Sequence, residues 1–101
     1  MLVHELFPEL AKQILDDLRK LKRSDLAARV MNLRIVDRCR CGSEVCGTFY
    51  TEGAHSKRRA GTRGASIILN CGANLMEAGG RIVEIEILDP RVTEAVRRVI
   101  P

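Results

Sequence analysis

The chain has 101 residues, the length of one domain and too short for two. With 46% hydrophobic and 30% charged residues it has the make-up of a globular protein, and intrinsic disorder is excluded. Seventeen Lys and Arg against thirteen Asp and Glu leave a net charge of +4, which permits a phosphate-bearing partner without demanding one.

No apolar run approaches the ~18 residues of a membrane span, so no membrane contact is expected. The opening Met1-Leu2-Val3-His4-Glu5-Leu6 has no basic leader and no apolar stretch with a cleavage site, unlike a signal peptide. A cytoplasmic setting is therefore expected, with the four cysteines held as thiols. Phe7, Phe49 and Tyr50 are the only aromatic residues, so Leu, Ile and Val must supply the core.

The clearest element runs from about Pro8 to Lys22. Leu10, Ala11, Ile14, Leu15, Leu18 and Leu21 recur at three- and four-residue spacing, and Glu9, Lys12, Gln13, Asp16, Asp17, Arg19 and Lys20 fill the other face. Pro8 suits the first helical position, where its missing N–H had no partner anyway. Ser24 and Asp25 offer an N-cap for a short second helix through Val30.

From Leu33 the period becomes two: Leu33, Ile35, Asp37, Cys39 and Cys41 fall on one face, with Arg34, Val36, Arg38 and Arg40 on the other. Gly42-Ser43 reads as a turn and Val45 to Thr51 as the returning strand. Gly53 to Gly64 reads as a loop and Ala65 to about Cys71 as a third strand. Gly72 to Gly80 reads as a second loop and Arg81 to Leu88 as a fourth strand, in which Val83, Ile85 and Ile87 alternate with Glu84 and Glu86. Asp89-Pro90 then caps a closing helix with Val92, Val96, Val99 and Ile100 on one stripe.

The expected fold is a single α+β domain over residues 1–101. It is a four-stranded antiparallel meander with the N-terminal amphipathic helix and the C-terminal helix packed on one face.

The most chemical feature is Cys39-x-Cys41-x4-Cys46, with Cys71 further on and His55 as the nearest nitrogen donor. Cys39 and Cys41 share a strand face, and a two- or four-residue hairpin loop brings Cys46 to the same side, whereas a three-residue loop turns it away. Four such donors are the number a tetrahedral zinc needs, but Cys-x-Cys differs from the usual Cys-x2-4-Cys knuckles. The leading reading is thiols buried as small apolar residues along the inward face of Leu33 and Ile35; the alternatives are a structural metal, redox or disulfide use, and a reactive thiol.

A second feature is basic. Arg34, Arg38 and Arg40 on one strand face, with Lys57, Arg58, Arg59 and Arg63 on the following loop, form a candidate phosphate or nucleic-acid surface. Phe49 and Tyr50, being adjacent, point to opposite sides and make no joint stacking platform.

Arg38-Cys39-Arg40-Cys41-Gly42, Cys46 and Thr48-Phe49-Tyr50-Thr51 together resemble the C-x-C-G-x3-C-x2-F-Y-T signature of a family of small uncharacterised bacterial proteins. Gly80-Arg81-Ile82-Val83-Glu84-Ile85-Glu86-Ile87-Leu88 is similar to that family's closing strand. The resemblance covers about half the chain and implies a bacterial, intracellular setting, with no activity or cofactor attached.

No paired acid–base motif is present. The reading is of a non-enzymatic binding module with a protein partner or a second copy of itself. The alternatives are a nucleic-acid-binding surface and a domain held by a structural zinc.

Overall fold

The computed structural model describes residues 1–51 and 65–101. His55, Lys57, Arg58, Arg59 and Arg63, and the loop reading of Gly53 to Gly64, lie outside these residues.

The chain begins with a short helix α1 (Val3–Leu6) and the amphipathic helix α2 (Pro8–Lys20), with Pro8 in its first turn. Ala11, Ile14 and Leu18 are buried along one stripe, as their spacing predicts. Asp17 departs from the expected polar face. It stands three residues after Ile14, at the edge of the stripe, and is buried, accepting a hydrogen bond from the Cys71 amide at 3.1 Å. Helix α3 (Ser24–Ala27) follows, then a 3₁₀ turn over Val30–Asn32. Neither Ser24 nor Asp25 caps α3; Arg23 holds that position without a side-chain bond to the helix main chain, its guanidinium being bonded to the Asp25 carboxylate.

The sheet has five strands rather than four, all pairs antiparallel: β1 (Asp37–Arg38), β2 (Phe49–Tyr50), β3 (Ala65–Ile68), β4 (Asn74–Ala78) and β5 (Arg81–Glu86). The strand missing from the sequence reading is β4. Its Asn, Glu and Ala are poor strand formers, and it is held by ladders on both sides. The spatial order is β1-β2-β5-β4-β3, so the sheet is not a simple meander. Strands β3 to β5 run in sequence, and β5 then returns beside β2, a Greek-key arrangement that puts β3 at the far edge. Gly79 and Gly80 both take positive φ, which a two-residue turn between β4 and β5 requires.

Phe49, Ile85, Leu75 and Ile67 form one row across the sheet, facing the helices. Phe49 is fully buried and stacks on Phe7 with ring centroids 5.9 Å apart. Strict alternation along β5 fails at Val83. The register slips opposite Met76/Glu77, so Ile82 and Ile85, three apart, both enter the core. The closing helix α4 (Pro90–Val99) adds Val92 and Val96 to the same core.

Gly47 fixes how closely α4 approaches. A Cβ there would lie 2.9 Å from Val92 Cγ1 and 3.0 Å from the Ile87 carbonyl oxygen. Asp89 caps α4 by accepting from the Arg91 amide at 2.9 Å. The Arg91 guanidinium, then that amide, hold its carboxyl below the usual carboxylate range. No helix among the described residues is long and apolar enough to cross a membrane.

Gly47→Ala is expected to cost about 1–3 kcal/mol through overpacking, and Phe49→Ala about 3–5 kcal/mol through loss of the central ring; urea denaturation measures both. Asp89 has a folded pKa below its unfolded one, so its contribution is complete above the unfolded value and fades as pH falls through the folded one. Asp89→Asn should therefore lower the melting temperature at pH 7, with the gap to wild type closing below about pH 4.

Candidate metal centre

The sequence between β1 and β2 is too irregular to extend the ladder. Arg38 pairs with Phe49 and the Cys39 amide donates to the Thr48 carbonyl at 3.0 Å, after which the two chains part. This register would place Cys41 across from Cys46, as a four-residue loop requires, not the two-residue Gly42-Ser43 turn. No residue from Arg40 to Val45 donates its main-chain N–H to a main-chain acceptor among the described residues. The loop is instead strapped from outside. The Gly47 amide donates to the Ile87 carbonyl at 2.8 Å, and Arg97 of α4 donates to the Ser43 carbonyl at 3.0 Å.

Within this loop the Sγ atoms of Cys39, Cys41 and Cys46 all lie within 4.8 Å of one another. Three thiolates on one tetrahedral zinc, at about 2.3 Å each, stand about 3.8 Å apart. A contraction of at most about an ångström per edge therefore closes the gap. The donor set also fits. Thiolates are soft ligands that favour zinc over hard cations, and this is a loop with few bonds of its own.

Cys41 is exposed, and Cys39 and Cys46 are half-buried. None of the three belongs to the hydrophobic core, so the expectation that Cys39 and Cys41 continue its inward face is not met. The physical reason lies in the register: Arg38, not Cys39, stands across from the buried Phe49. Cys71 behaves differently. It packs against the core from the turn joining β3 to β4, its amide is bound to Asp17, and its thiol is not part of the cluster.

The three thiols are electrostatically unequal. The Thr48 hydroxyl, 3.4 Å from Cys46 Sγ, and then the Thr48 amide stabilise the Cys46 thiolate, with the Cys41 and Cys39 thiols adding hydrogen bonds, so this thiol is held below its ordinary range. For Cys39 the largest single influence, the Cys41 main-chain N–H, favours the thiolate. Burial, hydrogen bonding with Cys41 and Cys46 and the charge of Cys46 outweigh it together, and the thiol is pushed up. Burial likewise pushes up Cys71, against the pull of the Ala73 amide. A Cys46 thiol held below its ordinary range eases metal capture, in which each ligating sulfur gives up its proton on binding.

Arg34, Arg38 and Arg40 do not gather on one face as expected. Arg38 donates through Nε to the Ile100 main-chain oxygen at 2.7 Å, and Arg40 donates to the main-chain oxygen of Pro101 at 3.1 Å and to Asp37 at 3.3 Å. Both serve the carbonyl end of α4, where cations favour the helix dipole. Arg34 stands apart, bridged through its backbone to Leu2 and lining a cleft beside the 3₁₀ turn.

Compared with family models, with curated proteins and with solved structures, the chain matches none.

In metal-free protein at neutral pH, Cys46 should alkylate severalfold faster than Cys39 or Cys71, and Thr48→Val should slow it. Timed iodoacetamide labelling with peptide mass mapping reads each rate.

Proposed function

We propose that this protein is a small zinc-held binding module, with Cys39, Cys41 and Cys46 as three of the four ligands. One observation carries the reading: three thiols from one loop converge within 4.8 Å. The ion would supply the loop with the cross-links its backbone does not make, which is what structural zinc does in small domains. A fourth donor completes the tetrahedron. His55 is the candidate within the chain, and water or a partner's side chain is the alternative, since Cys71 is occupied in another part of the fold. The loop projects Cys41, Gly42, Ser43, Glu44 and Val45 to solvent, so the metal would stiffen an exposed surface. That favours recognition of a protein partner over chemistry on a substrate, because a stiffened loop loses less entropy on binding.

Native mass spectrometry of protein produced with added zinc should show one zinc per chain. Cys41→Ser should abolish it, Cys71→Ser should leave it intact, and His55→Ala should separate a ligand within the chain from an external one. A chelator should lower the melting temperature by about 10 °C or more. A metal-free mass, with a melting curve that a chelator does not move, would overturn the proposal.

A further inference from the structure

A second place in the molecule combines charge with a cavity, and it shares no residue with the cysteine loop. A cleft of about 280 Å³ opens beside the 3₁₀ turn, where Arg29, Asn32, Arg34 and Arg81 surround it. Its floor is apolar, made by Leu33, Val36 and Ile82. Among the described residues no acidic side chain lines it.

The walls are firmly placed. The Leu33 amide donates to Val30 at 3.2 Å, the Ile35 amide to Met1 at 2.9 Å and the Val36 amide to Tyr50 at 2.9 Å. Thr51, buried at the back, donates its hydroxyl to the Ile82 carbonyl at 2.5 Å and its amide to Val83 at 3.0 Å. Arg29 and Arg34 stand on either side of the turn, both exposed. Neither guanidinium is hydrogen-bonded or ion-paired among the described residues, whereas Arg38 and Arg40 nearby are fully engaged.

We infer that this cleft binds the phosphate group of a small phosphate ester, with Arg29 and Arg34 on the phosphate and the apolar floor under the organic part. A carboxylate is satisfied by one guanidinium fork. A phosphate dianion offers three oxygens and two charges, and so makes use of two arginines. The Asn32 amide adds a neutral donor at the same rim. The apolar floor gives the ester an advantage over the free ion, in proportion to the surface it covers.

The test is an amide chemical-shift titration with phenyl phosphate, inorganic phosphate and benzoate at matched low ionic strength. Saturable shifts centred on Asn32, Arg34 and Thr51 are expected, with phenyl phosphate about tenfold tighter than either other probe. Arg29→Ala and Arg34→Ala should each weaken phenyl phosphate about tenfold, while Lys20→Ala on α2 leaves it unchanged. Equal affinity for benzoate, shifts scattered over all basic residues, or binding indifferent to Arg34→Ala would each overturn the assignment. Zinc content, measured on the same variants, should be unaffected, so this site and the cysteine loop fail or stand separately.

Discussion

The Gly47 backbone lies so close to helix α4 that a side chain there would force a shift, and the arrangement of the cysteine loop depends on that approach. With no side chain at position 47, the strand leading into Phe49 lies against Val92 and beneath the Ile87 carbonyl, and its amide bonds that carbonyl. The contact does two things at once. It seats Phe49 over Phe7 in the core, and it holds the end of the loop at Cys46 against the segment between β5 and α4. A loop this poor in internal hydrogen bonds would otherwise sample many arrangements of its thiols.

Arginines complete the strap. Arg38, Arg40 and Arg97 join the loop and β1 to the last turn of α4 through main-chain oxygens. Arg38 and Arg40, two of the residues that read as a nucleic-acid surface, are here bonded to the end of α4. Exposed ion pairs contribute little, but a guanidinium on helix-terminal carbonyls satisfies acceptors that have no partner within the helix. Arg29 and Arg34, whose guanidinium groups have no partner among the described residues, stand elsewhere, at a cleft lined in part by Leu33, Val36 and Ile82.

The position of β5 governs the sheet. It pairs with β2 on one side and β4 on the other, and its bulge at Val83 turns both Ile82 and Ile85 into the core. Asp17 then links α2 to the β3–β4 turn through the Cys71 amide, and Arg23 before α3 pairs with Glu77 of β4 at 3.2 Å, polar ties between two layers joined mainly by apolar packing.

The amphipathic helix, the closing helix with its Asp89-Pro90 start, the Gly79-Gly80 turn and an antiparallel α+β sheet were legible in the sequence, because each rests on local periodicity or on one residue's backbone preference. The clustering of Cys39, Cys41 and Cys46 was legible only on condition of a two- or four-residue hairpin loop, a length the sequence does not set and the tertiary structure does. Strand β4 was not legible, since Asn74-Leu75-Met76-Glu77-Ala78 has no strand propensity and is made extended by its two neighbours. Nor was the strand order, because long-range pairing leaves no local mark. The separation of Cys71 from the other thiols and the use of Arg38 and Arg40 on α4 likewise depend on residues 54 to 62 positions away. Local chemistry in this chain is written in the sequence; which groups meet across that distance was decided only by tertiary packing.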